Sequence, residues 1–172
     1  SKRAIYELST GELKKSVALR AEFFGEGISQ VGNRIFQLTY KSQKCFVYDV
    51  NSLERVGEYD FKFSAEGWGL CSDGEKLIMS NGSHYLYFID PENFTYTGSL
   101  QVADNKGTRR DLNELEFYEG RIYANVWYQK EILVINAVNG EVEKIISLDR
   151  IPEEEFQKGV ANGIAIKDGN LL

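Results

Sequence analysis

One pattern is written four times along these 172 residues, and it restricts the fold more than any other feature. The unit is a short apolar strand pair joined by an acidic or Asn-containing turn. It occurs at Ile5 to Leu19 (IYELSTGELKKSVAL), Cys45 to Phe61 (CFVYDVNSLERVGEYDF), Tyr85 to Leu100 (YLYFIDPENFTYTGSL) and Ile132 to Leu148 (ILVINAVNGEVEKIISL). Ile5, Phe46, Leu86 and Leu133 occupy equivalent places, so the unit recurs about every 40 to 50 residues, the length of one four-stranded propeller blade. Inner hairpins lie between these outer ones: GISQVGNRIFQLTYK, GWGLCSDGEKLIMSNGS, NELEFYEGRIYANVWYQ and NGIAIKDGNLL, each a strand pair around a Gly-containing turn. The expected fold is all-β, a β-propeller.

Reading inner hairpin then outer hairpin gives complete blades at 27–61, 67–102 and 113–148, with half blades at 5–19 and 162–172, in a single domain over 1–172. Two closures fit: the halves join into a fourth blade, or each lacks its complement in a five-bladed disc. The last strand of IKDGNLL has only begun at Leu172, which favours five blades with parts of the first and last absent.

Composition narrows the functions. A net charge of −6 argues against nucleic-acid binding, which depends on clustered Lys and Arg. The only basic run, KGTRRDLN, reads as a solvated loop. No apolar stretch is long enough to cross a bilayer, so no membrane span is expected. Cys45 and Cys71 have no CxxC spacing and interrupt strand-like runs, so they read as buried free thiols.

The chain has one histidine, His84, read as a surface turn residue, which leaves little basis for a Ser-His-Asp triad or a His-based zinc site. The glycines of GEGISQVG precede a strand rather than a helix, so they do not make a phosphate cradle. Attention falls on the loops leading into the first strand of each blade, which open on one face of the disc and bring their side chains together. They carry Glu26 (FFGEGI), Glu66 and Trp68 (AEGWGL), Asn113, Glu114 and Glu116 (DLNELEF) and Asn162 (ANGIAI). The second strands add Gln37 and Tyr40 (QLTY), and Asn125 and Trp127 (ANVWY). Each has a plain alternative: Trp68 and Trp127 as packing between sheets, Asn113 as a turn cap, Glu26 as a solvent-facing carboxylate. Glu26 is nonetheless flanked by Phe23, Phe24 and Ile28, where desolvation would raise its pKa into an acid/base range.

FFGEGI, QLTY, EGWGL, SNGS, LNELEFYEGRIYANVW and ANGIAI, in that order, resemble the plant and bacterial type of glutaminyl cyclase (glutamine cyclotransferase), a family of five-bladed propellers. The resemblance implies conversion of N-terminal glutamine of peptides or proteins to pyroglutamate with release of ammonia. It also implies Glu26 as the central acid/base, Asn113 as the substrate-orienting amide, and Trp68 and Trp127 as the aromatic pocket. Tyr40 stands where a Trp is usual. Gln37, Glu114 and Asn162 complete the expected substrate-binding set. No cofactor or catalytic metal is implied, with room for a structural Ca²⁺. The protein is expected to be a monomer, extracytoplasmic by family resemblance. The family's Lys, in a short segment past the last inner hairpin, is expected beyond Leu172. Two other uses of the same atoms stay open: a metal-dependent propeller lactonase, with Glu26, Asn113 and Asn162 as oxygen ligands, and a non-catalytic peptide-binding propeller.

Overall fold

The computed structural model of this chain describes residues 1–156, 162–167 and 169–171. It is all-β apart from one helical turn, α1 (Glu153–Phe156), which the sequence pattern did not announce. Three four-stranded antiparallel meanders follow one another. The first joins β3 (Gly25–Val31), β4 (Arg34–Thr39), β5 (Lys44–Asp49) and β6 (Arg55–Asp60). The second joins β7 (Leu70–Ser72), β8 (Leu77–Met79), β9 (Tyr85–Asp90) and β10 (Thr95–Gln101). The third joins β13 (Leu112–Tyr118), β14 (Arg121–Val126), β15 (Glu131–Asn136) and β16 (Val142–Ser147). A two-stranded piece precedes them, β1 (Lys2–Tyr6) with β2 (Leu13–Ala18). Another follows, β17 (Ile166–Lys167) with β18 (Asn170–Leu171). A short hairpin of β11 (Ala103–Asp104) and β12 (Gly107–Thr108) lies between the second and third meanders. Of the last expected half blade, Asp168 and Leu172 lie outside the described residues.

The middle strands are apolar on both faces because they are covered on both. Cys45 to Tyr48 in β5 and Ile132 to Ile135 in β15 are all buried. The outer strands β6 and β16 stay largely exposed. One core lies between the first and second meanders, with Phe36, Leu38, Val47, Leu70, Leu77 and Phe94. The other lies between the second and third, around Leu86, Leu112, Ile122, Ala124 and Leu133. Each of the larger side chains among them contributes about 1.5–3 kcal/mol by leaving water, so each sheet depends on its neighbour for its stability. Cys45 and Cys71 are buried free thiols within these cores, as the sequence suggests.

The outer-hairpin turns are one device used three times. Asp49, Asp90 and Asn136 each accept a hydrogen bond from a backbone N–H two residues on, through a side-chain oxygen (Asn51, Glu92 and Val138; 3.0, 2.8 and 2.9 Å). The residue four positions on takes a left-handed backbone: Leu53 (φ 57°), Phe94 (φ 56°) and Gly140 (φ 78°). These Asx-type turns close because the short side chain substitutes for a backbone turn. Leu53 and Phe94 adopt a conformation unusual for such residues while burying their side chains, 3% exposed in each case.

The innermost strands lie side by side, with β7 against both β3 and β13. Glycine makes this approach possible. A Cβ on Gly27 would stand 2.5 Å from the Leu70 backbone nitrogen, and one on Gly69 would stand 2.2 Å from the Asn113 carbonyl oxygen. Only a residue without a side chain brings the backbones this close. The ends of three consecutive sheets therefore meet at one place.

Candidate active site

Glu26 sits in β3 and Asn113 in β13, both where strand register slips. The shifts fall between Gly25 and Ile28, and between Leu112 and Leu115. A bulge inserts an unpaired residue and re-aims a side chain, a device common beside active sites. The same device on two neighbouring sheets turns Glu26 and Asn113 toward a shared cavity of about 450 Å³, which Phe24, Tyr40, Trp68, Trp127 and Asn162 also line.

Six residues singled out from sequence thus come together: Glu26, Tyr40, Trp68, Asn113, Trp127 and Asn162. Gln37 and Glu114 stand behind the cavity wall. Gln37 is 4% exposed, and its amide nitrogen lies 2.7 Å from where a Cβ of Gly25 would be. Glu114 accepts hydrogen bonds at Oε1 from the backbone N–H of Leu115 (3.0 Å) and of Leu70 (3.3 Å), fastening β13 to β7. Phe24 is the lining residue that the sequence reading did not select. The signal was present in FFGEGI, because residues two apart in an extended segment share a side. His84 lies in the bend before β9, partly buried beside Tyr85 with ring centroids 4.3 Å apart, and does not line the cavity.

The walls are fixed by contacts between loops. Trp68 and Trp127 face each other with centroids 5.9 Å apart and planes tilted by 56°. Phe24 meets Tyr40 edge-on at 6.4 Å. Asn113 Nδ2 donates to Asn162 Oδ1 at 3.2 Å, and the Gly163 N–H donates to Asn125 Oδ1 at 3.3 Å. Beneath them the buried Ser80 accepts from the Gly69 N–H at 2.8 Å and donates to the Asn113 carbonyl at 2.6 Å. The Trp68 N–H donates to the Ser80 carbonyl at 3.0 Å, so one serine holds both the Trp68 loop and the Asn113 backbone.

Electrostatics complete the arrangement. Burial above all, then the carboxylates of Glu114 and Glu66, push the Glu26 carboxyl up to about 7. Burial also raises Glu114 and Glu116, although backbone N–H donors pull each of them the other way. A carboxyl near neutrality populates both protonation states, which suits it to move a proton in either direction.

Fold and site together define a class: an all-β protein whose successive sheets converge on an aromatic-walled pocket holding one near-neutral carboxyl and a pair of asparagine amides. Comparison with known proteins narrows it. The family model described as "Glutamine cyclotransferase" matches residues 1–171. A "Glutaminyl-peptide cyclotransferase" from Arabidopsis thaliana is 32% identical over 164 residues, covering 92% of this chain and 51% of the plant protein. Among solved structures, the glutaminyl cyclase of Myxococcus xanthus superposes with a TM-score of 0.86 at 29% identity, over 98% of this chain and 73% of that one. U3-55K is alike in fold alone, with a TM-score of 0.53 at 8% identity over 78% of this chain and 42% of its own. The chain belongs to the glutamine cyclotransferase family, and it spans about half the length of its Arabidopsis relative.

Proposed function

We propose that this protein is a glutaminyl-peptide cyclotransferase built on a five-bladed propeller, with the three meanders as complete blades at 27–61, 67–102 and 113–148 and the two-stranded pieces as parts of others. The observation that carries the reading is the Glu26 carboxyl, lifted to about 7 inside an aromatic enclosure and sharing it with the Asn113 amide.

The chemistry follows from the substrate. The α-amine of an N-terminal glutamine attacks its own side-chain amide carbon. A carbon–nitrogen bond closes a five-membered lactam, the bond to the amide nitrogen breaks, and ammonia leaves. Attacking and attacked groups are tethered, so the site has to hold the folded conformer and move protons. Free α-amines titrate near 8, close enough to Glu26 for its carboxylate to take the proton. The same carboxyl then delivers that proton to the departing nitrogen, and the second proton that the attacking nitrogen sheds as the lactam closes passes to solvent, so that a neutral lactam and ammonia result. An asparagine amide has two N–H donors, and Asn162 accepts from one of those on Asn113. The other is assigned to the amide oxygen of the substrate, where negative charge develops; a donor so placed is worth about 3–4 kcal/mol. Trp68, Trp127, Tyr40 and Phe24 enclose the glutamine side chain and exclude the water that would otherwise compete for the carbonyl. The rest of the peptide extends from the open mouth, so peptides and proteins beginning with glutamine are the proposed substrates.

No cofactor enters this scheme. Among the described residues no three His, Cys, Asp or Glu side chains are grouped to hold a metal ion. Mass spectrometry of a Gln-initiated peptide incubated with the protein in EDTA tests the proposal. Loss of one ammonia faster than in a protein-free control is expected, whereas no acceleration, or activity that the chelator abolishes, contradicts it.

A further inference from the structure

Glu66, whose carboxylate helps to raise Glu26, also makes contacts to side chains of the cavity wall that the scheme above does not use. Its Oε2 accepts the Trp68 indole Nε1–H at 2.9 Å, and its Oε1 faces the Lys41 ammonium at 3.5 Å. That ammonium lies 4.8 Å from the centroid of the Tyr40 ring. One carboxylate therefore touches one aromatic wall directly and a second through Lys41. Its own backbone is tied to both sides: Ser64 Oγ donates to the Glu66 carbonyl at 2.7 Å, and the next residue, Gly67, donates its N–H to the Tyr40 carbonyl at 3.0 Å.

The far edge of the same indole is gripped as well. A Cβ on Gly82 would stand 2.6 Å from Trp68 Cη2 and 2.9 Å from Cζ2 and Cζ3, so the six-membered ring lies flush against that backbone. An indole has one hydrogen-bond donor, and here it is directed at Glu66. With Nε1 held at one end and the benzo edge at the other, the ring has one plane to occupy, the plane that faces Trp127.

We propose that Glu66 is a positioning residue of the cavity: it fixes the plane of the Trp68 indole through Nε1–H and holds Lys41 across Tyr40, so that a single side chain sets two walls of the glutamine pocket. The role extends the cyclase reading, but the orientation of Trp68 does not depend on that reading being right. Trp68 and Trp127 are the only two tryptophans in the chain, so Trp127→Phe leaves a protein whose tryptophan emission, excited selectively over the tyrosines, comes from Trp68 alone.

Two substitutions separate positioning from bulk. Glu66→Gln keeps an acceptor for Nε1–H, whereas Glu66→Ala removes it. In the Trp127→Phe background, Glu66→Ala should shift Trp68 emission and raise its quenching by acrylamide about twofold or more, while Glu66→Gln should restore the parental values. In the protein with both tryptophans, Glu66→Ala should raise KM for a Gln-initiated peptide about tenfold, the loss of one hydrogen bond to a charged acceptor, with kcat changed less. Glu66→Gln should recover most of that KM. Unchanged emission and quenching in Glu66→Ala, or an unchanged KM in an active protein, overturns the proposal. If the parent protein fails to cyclise while the emission changes as expected, the cyclase reading is lost and the positioning role stands.

Discussion

Asn113 and Asn162 lie 49 positions apart in the chain and meet side chain to side chain, the amide nitrogen of Asn113 donating to the amide oxygen of Asn162 at 3.2 Å. The contact leaves Asn113, itself 3% exposed, in a single orientation, with one N–H committed to Asn162 and the other available to a substrate oxygen.

Removing that donor should lower turnover with little effect on the fold. Asn113→Ala is expected to reduce kcat about 100- to 1000-fold, the cost of one donor at a developing oxyanion. Asn162→Ala leaves the donor in place but frees its rotation, and should cost about tenfold. Steady-state kinetics on a Gln-initiated peptide, with thermal unfolding as control, checks the order of the two.

Ser80 supports both halves of the site from below. Ser80→Ala leaves the Gly69 N–H and the Asn113 carbonyl without their present partner in a buried setting, which should cost about 1–3 kcal/mol for each group left unsatisfied. Urea denaturation should show a lower midpoint, and activity should fall with it because the hydroxyl bridge from Gly69 to Asn113 is lost, while the backbone bonds of Ser80 to Trp68 and Gly69 remain.

Two glycines with nearly the same φ separate strain from collision. Gly140 has φ 78° and Gly120 has φ 75°. A Cβ at Gly140 would lie 1.9 Å from the Gln101 carbonyl oxygen, whereas at Gly120 nothing stands within 4 Å. Gly120→Ala should cost about 1 kcal/mol, the left-handed penalty alone, and Gly140→Ala several times that. Equilibrium unfolding of both variants measures the difference.

The carboxyl assigned to catalysis should weaken the fold. Glu26 binds its proton more tightly when folded, up to about 7 from an ordinary value of 4.5. Between these pH values the native state holds more protons than the unfolded chain, so stability falls as pH rises through that window. Glu26→Gln removes the titration. It should match the parent at pH 4 and exceed it at pH 8 by about 1–2 kcal/mol, with solvent screening of a half-buried group taken into account. Chemical denaturation at the two pH values distinguishes this from a pH-independent change.

What was legible in the sequence is what depends on local chemistry. The Asp49, Asp90 and Asn136 turns announce themselves because a short polar side chain closes its own turn, and the apolar runs between them mark the covered strands. Glu26, Trp68, Asn113 and Trp127 were found because their motifs begin or end strands that a repeating fold brings together. The bulges that aim Glu26 and Asn113 left no mark in the sequence, since a register slip is settled between strands rather than within one. Nor did the attachment of Glu66 to Trp68 and Lys41, or of Ser80 to Gly69 and Asn113, which join segments from different strands and loops. The helical turn α1 and the β11–β12 hairpin lie outside the repeating unit, so periodicity could not foresee them.

The most direct test is the pH dependence of kcat/KM for ammonia release from a Gln-initiated peptide, measured for the parent protein and for Glu26→Gln. The account predicts a profile inflecting near 7, the value to which burial and the neighbouring carboxylates bring Glu26, and a loss of several orders of magnitude in Glu26→Gln with that inflection gone. Full activity in Glu26→Gln, or a parent profile without an inflection near neutrality, contradicts it.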